Sequence, residues 1–213
     1  MNGEVMQLNT PVIGILRGID SGFFREVMHA SFLSGLNAIE VTMNTPGAEQ
    51  IVSSLRPEVP QGKLLGMGTI RHPDEAKRAV DAGAMFLVTP NLDENVIEYA
   101  KSRNIPIVSG ALTPTEVYRT WKAGADMVKV FPCHAFGPQY IKDLLGPFDD
   151  IPLVAVGGVS IGNLKEYFKA GAKAVGVGAS LFGAQTLRER NIEKISANVK
   201  MFMNHCNQRD DRI

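Results

Sequence analysis

The chain has 213 residues, 45% of them apolar and 21% charged, and its 22 basic side chains balance its 22 acidic ones. That length suits one large domain, and a neutral surface of mixed sign offers no basic field for nucleic acid or an anionic membrane. No apolar run approaches the roughly 18 residues of a spanning helix, and Met1-Asn2-Gly3-Glu4 has no signal-peptide pattern, so a cytoplasmic protein without a membrane anchor is expected.

Apolar segments alternate with amphipathic ones along the whole chain. Strands are predicted at 12–17, 38–44, 64–69, 85–90, 106–112, 127–132, 152–158 and 174–181. Helices are predicted at 21–34, 46–55, 73–82, 94–102, 114–123, 138–145, 161–170 and 187–204. Eight strand–helix pairs in one chain are the count of an α/β fold of the (β/α)8 TIM-barrel type, as a single domain over 1–213 with its core at about 11–204. A polar tail at 207–213 is expected to fray. An open doubly wound sheet stays possible, because periodicity does not report closure.

Helix ends are marked in the sequence. Ser34-Gly35, Ala82-Gly83, Ala123-Gly124 and Ala170-Gly171 place glycine where a helix stops. Thr45-Pro46, His72-Pro73, Thr113-Pro114 and Gly137-Pro138 place proline in a first turn.

Lys129 lies in the middle of the apolar run Met127-Val128-Lys129-Val130-Phe131-Pro132. A strand buried on both faces has no cheap place for an ammonium, so this lysine either reaches to the rim or sits neutral and nucleophilic. Strand alternation points Glu40, Thr42 and Asn44 to one face and Ile39, Val41 and Met43 to the other. The first set is expected inside the barrel. The same parity groups Met127, Lys129 and Phe131; Ile13, Ile15 and Arg17; and, in the third strand, Leu65, Met67 and Thr69.

Barrel active sites form at the C-terminal ends of the strands. Arg17, Asn44, Thr69, Pro90, Pro132, Gly157, Gly158, Gly178 and Ser180 fall there, with Glu40 and Lys129 a layer deeper. Glycines after the seventh and eighth strands let backbone N–H groups approach an anion, which points to a phosphorylated small molecule. Cys133 and Cys206 lack zinc-site spacing, so reduced thiols and no metal are expected.

From about Pro11 to Phe182 the chain resembles the 2-keto-3-deoxy-6-phosphogluconate aldolase family. The resemblance is carried by Ile15-Leu16-Arg17-Gly18, Ile39-Glu40-Val41-Thr42, Gly66-Met67-Gly68-Thr69, Val88-Thr89-Pro90, Val128-Lys129-Val130-Phe131-Pro132, Gly137-Pro138-Gln139-Tyr140 and Val156-Gly157-Gly158-Val159. It implies a class I aldolase without metal or other cofactor, a homotrimer that releases pyruvate from a phosphorylated 2-oxo sugar acid. By the same resemblance Lys129 is the Schiff-base lysine, Glu40 the general acid/base, and Thr69 the holder of the substrate carboxylate. Arg17, Gly157, Gly158 and Ser180 fall on or beside its phosphate-binding positions. Asn44 stands where gluconate-type members carry an arginine, and Val156 where they carry a threonine. Both, with Ala135-Phe136-Gly137-Pro138-Gln139-Tyr140-Ile141, resemble the related galactonate-type enzymes. The residues by themselves also fit a sugar-phosphate isomerase or epimerase with Glu40 as base, or a barrel that binds a sugar acid without turnover.

Overall fold

The computed structural model describes residues 10–207; the N-terminal Met1–Glu4 and the tail beyond Asn207 lie outside them. The strands are β1 Val12–Leu16, β2 Ala38–Thr42, β3 Leu64–Gly68, β4 Leu87–Val88, β5 Ile107–Ala111, β6 Met127–Val130, β7 Leu153–Val156 and β8 Ala174–Val177. The helices are α1 Ser21–Leu33, α2 Ala48–Leu55, α3 Pro73–Asp81, α4 Glu94–Ser102, α5 Pro114–Ala123, α6 Pro138–Leu145, α7 Leu164–Lys169, α8 Ala179–Phe182, α9 Ala184–Arg188 and α10 Ile192–Asn207. Each strand pairs in parallel with the next and β8 pairs with β1, so the sheet closes into a barrel. Closure decides against the open sheet, and among the described residues no strand is left with an unpaired edge.

Helix ends follow local chemistry. Asp20 caps α1 by accepting from Phe23 N at 3.0 Å, and Thr113 with Glu116 forms a reciprocal capping box on α5. Gly35, Gly83, Gly124 and Gly171 all stand at positive φ, 98°, 94°, 97° and 101°, a region that penalises a Cβ. Proline opens α3, α5 and α6 as expected. The second helix starts at Ala48 rather than Pro46, because Gly47 sits at φ 73° and breaks the turn.

The apolar side chains form two layers. Ile39, Val41, Leu65, Val128, Val130 and Val175 point outward and pack beneath the helices. Ile13, Ala38, Leu64, Val108, Met127 and Val154 point inward and fill the lower barrel. Each such Ile, Leu, Val or Met side chain, fully buried, contributes on the order of 1.5–3 kcal/mol, so the base of the barrel is a packed core. The charged residues sit above it.

Several expectations are corrected. In β3 the pairing of Ile39 with Leu65 and Val41 with Met67 puts Leu65 and Met67 on the outer face with their partners. The inward positions there are Leu64, Gly66 and Gly68, because strand neighbours share a face at each register pair. The fourth strand keeps only Leu87–Val88 of the span 85–90. The eighth ends at Val177, and Leu181 is helical. The last helix is divided: Arg190 at φ 52° turns the chain between α9 and α10, which replace one helix over 187–204. Asn207 belongs to α10 rather than to a frayed tail. The seventh helix begins at Leu164, after a turn in which Asn163 Oδ1 accepts from Ser160 N at 2.8 Å.

Candidate active site

Glu40 and Lys129 stand on β2 and β6, on opposite sides of the ring. Both are buried, at 2% and 7% exposure. Glu40 is registered between Ile15 of β1 and Gly66 of β3, and Lys129 between Gly110 of β5 and Val154 of β7. Each charged side chain thus has a glycine beside it. Of the two glycines in Gly66-Met67-Gly68-Thr69, Gly66 leaves its space to the Phe86 ring, 2.5 Å from where a Cβ would lie. A Cβ on Gly68 would lie 2.1 Å from Glu40 Oε1, so the carboxylate occupies the space that the missing side chain leaves. A Cβ on Gly110 would lie 2.3 Å from the Pro90 carbonyl carbon, so the turn after β4 enters over β5. The Thr89 hydroxyl fixes that turn, accepting from Gly110 N at 2.9 Å and donating to Asn91 O at 2.6 Å. Two glycines at alternate strand positions, as in Leu64-Leu65-Gly66-Met67-Gly68, are the signal that marks such a vacated face.

Electrostatics push both groups toward neutrality. Burial raises the Glu40 carboxyl to about 7, against the opposing pull of Lys129 and Arg17. Among the described residues, Glu40 Oε2 is buried with no hydrogen-bond partner. Burial also lowers the Lys129 pKa; Glu40 opposes this and the Arg17 charge adds to it. Lys129 Nζ lies 4.8 Å from the centroid of the Phe131 ring, so this partly exposed ring packs against the amine. An amine held toward its neutral form is a nucleophile, and a carboxyl near 7 both takes and gives protons at neutral pH.

Thr69 and Arg17 meet at the rim. Thr69 stands at φ 59°, which breaks strand alternation and brings its side chain back to the mouth. There its hydroxyl oxygen accepts from Arg17 Nη2 at 3.4 Å. Arg17 is also close enough to perturb both Glu40 and Lys129. Arg17 also lines a cleft of about 530 Å³ with Gly178 and Ala179. The neighbouring loops are tied together, since Thr45 Oγ1 accepts from Gly18 N at 3.0 Å and lies 3.0 Å from Thr42 Oγ1. Asn44 is exposed in the turn after β2. Val156 is 6% exposed on the inner face of β7.

At the other end of the mouth, Gly157 and Gly158 take φ of 99° and 74°. Their carbonyls are both engaged: Gly157 O accepts from Cys133 Sγ at 2.9 Å and Gly158 O from Asn163 Nδ2 at 3.0 Å. Ser180, at the start of α8, donates its hydroxyl to Val159 O at 2.5 Å and so ties this turn to the one after β8. Cys133 and Cys206 are both buried. Among the described residues no group of three or more His, Cys, Asp or Glu is placed to hold a metal ion, and no helix is long and apolar enough to cross a membrane.

The family model described as KDPG and KHG aldolase matches residues 6–198. The 2-dehydro-3-deoxy-6-phosphogalactonate aldolase of Escherichia coli K12 is 34% identical over 197 residues, 92% of this chain and 96% of that protein. The solved structure titled native KDPGal superposes with a TM-score of 0.88 at 32% identity, over 95% of this chain and 97% of the other. The Zymomonas mobilis 2-keto-3-deoxy-6-phosphogluconate aldolase, solved with 3-phosphoglycerate, superposes with a TM-score of 0.82 at 26% identity, over 93% and 92%. A buried lysine facing a buried glutamate in a closed barrel, and a family match over nearly the whole described chain, agree: this protein belongs to the KDPG and KHG aldolase family.

Proposed function

We propose that this protein is a class I aldolase that cleaves a 2-keto-3-deoxy-6-phospho sugar acid to pyruvate and glyceraldehyde 3-phosphate, with the galactonate epimer preferred over the gluconate at C4. The observation that carries the reading is the pairing of Lys129 and Glu40. Each is withdrawn from water and shifted toward its neutral form inside one barrel.

The chemistry follows from those shifts. Unprotonated Lys129 Nζ attacks the C2 ketone, and the carbinolamine loses water, with Glu40 supplying and removing the protons, to leave an iminium. The iminium draws the electron pair of the C3–C4 bond as that bond breaks, while Glu40 accepts the C4 hydroxyl proton. Glyceraldehyde 3-phosphate departs. The enamine left on Lys129 is protonated at C3, and water hydrolyses the pyruvate imine to regenerate the amine. Thr69 and Arg17 stand together at one side of the mouth and suit the carboxylate, which supports assigning Arg17 to that end as well as to the phosphate. Gly157, Gly158, Gly178 and Ser180 suit the phosphate, and holding both ends fixes C2 over the amine. Asn44, Pro90 and Phe131 shape the rim. Val156 offers a methyl surface where a threonine would offer a hydroxyl, which supports the C4 preference.

The resemblance to the family supports a homotrimer in the cytoplasm, which sedimentation of the purified protein and cell fractionation would test. The activity is tested by borohydride reduction with pyruvate. Peptide mapping is expected to find the adduct on Lys129, and cleavage of both phosphorylated epimers should favour the galactonate. Labelling of another lysine, or of none, overturns the reading, because an isomerase or epimerase forms no imine.

A further inference from the structure

We propose that His134, in the loop after β6, contacts the substrate phosphate and gives this chain its affinity for phosphorylated over unphosphorylated anions. The proposal rests on the reading of the Gly157–Gly158 turn as the phosphate end. His134 lies directly on that turn. A Cβ on Gly158 would fall 2.5 Å from His134 Cβ and 3.7 Å from Nδ1, and one on Gly157 would fall 3.5 Å from Nδ1. The same point on Gly157 is 3.4 Å from Pro132 Cα and 3.5 Å from Phe131 Cδ2, so the end of β6 and the glycine turn form one wall.

Two contacts hold the arrangement. Cys133, the preceding residue, is buried and donates its thiol to Gly157 O, which pins the loop to the turn and sets His134 above it. Asn163 takes Gly158 O from the other side. With both carbonyls engaged, the turn offers its N–H groups, and a concave row of N–H groups is an anion site. His134 is exposed, and among the described residues its ring makes no hydrogen bond, so a ring N–H is free to donate to a bound phosphate oxygen. Arg17, the cation expected at this end, is drawn toward Thr69. The glycines matter twice here: any larger residue at 158 would displace the imidazole as well as strain the backbone.

The test uses the full-length protein, His134→Ala and His134→Gln. For each, three quantities are measured: kcat and KM for the phosphorylated 2-oxo sugar acid, the inhibition constant of inorganic phosphate, and the pyruvate concentration for half-maximal borohydride labelling of Lys129. His134→Ala is expected to raise KM and the phosphate inhibition constant about tenfold, the size of one charge-assisted hydrogen bond. It should leave kcat and pyruvate labelling unchanged, and His134→Gln, which keeps a donor, should recover most of the loss. If His134 only packs on the glycines, KM and pyruvate labelling shift together, or nothing shifts, and the proposal is overturned while the aldolase reading stands. An imidazole resonance of His134 that stays unmoved in the wild-type protein under inorganic phosphate also overturns it, independently of how the variants fold. Absence of both cleavage and labelling in the wild-type protein overturns the aldolase reading, and this proposal with it.

Discussion

Gly68→Ala is the sharpest perturbation that the geometry offers. The added methyl would arrive 2.1 Å from Glu40 Oε1 and 2.5 Å from Cδ, so the carboxylate must retreat by more than about 1 Å to reach ordinary contact. It is the free end of a flexible side chain, so the backbone need not move. Overpacking of this kind costs roughly 1–3 kcal/mol of stability, and relief by rotation of Glu40 toward the mouth puts the variant at the low end. Catalysis has no such escape, because a misplacement of about 1 Å in a reacting group costs on the order of a hundredfold in rate. We therefore expect kcat to fall about a hundredfold, Tm to change little, and borohydride with pyruvate still to label Lys129, which the methyl does not touch. The pH–rate profile should also move, since a carboxylate nearer water loses the burial that holds it near 7. Wild-type kcat in a folded Gly68→Ala protein would refute the claim that the missing side chain at Gly68 makes room for Glu40.

Other consequences follow from the same pair. Glu40→Gln should lose 10²-fold or more in kcat while becoming more stable than the wild type at neutral pH. The sign comes from linkage: an unfolded carboxyl ionises near 4.5 but the folded one near 7, so the folded state holds more protons in that window and wild-type stability falls as pH rises through it. The difference between variant and wild type should be absent below pH 4.5 and reach about 3 kcal/mol above 7, as read from urea midpoints at several pH values. Lys129→Met should abolish cleavage and labelling, and it too should raise Tm at neutral pH. The native amine is depressed below its ordinary value by burial, so the unfolded chain binds more protons there, and the stability deficit shrinks as pH rises toward the unfolded value. Val156→Thr places a hydroxyl in the inner wall beside Gly176 and is expected to shift the ratio of kcat/KM between the C4 epimers toward the gluconate by roughly tenfold; an unchanged ratio would separate Val156 from epimer choice. Gly158→Ala, at φ 74° and against His134, should raise KM for the phosphorylated substrate more than it lowers kcat.

Much of this protein is written in local pattern. Alternation of apolar and amphipathic segments sets the eight strand–helix units, proline and glycine mark most helix ends, and period-two parity aims Glu40 and Lys129 inward. These features depend only on residues a few positions apart, so one-dimensional order suffices to specify them. Long-range geometry decided the rest. The pairing of β8 with β1 closes the ring, and no local period contains that information. The inward face of β3 belongs to glycines because its register is set by β2, and Thr69 reaches the mouth only through a positive φ. Arg17 turns toward Thr69, 52 positions away in the chain, and its charge bears on Glu40 and Lys129 because the barrel mouth gathers these groups. Above all, the shifts that make an amine and a carboxyl useful at neutral pH come from water excluded by the whole barrel, and desolvation is a property of the assembled fold that neither residue carries in the chain alone.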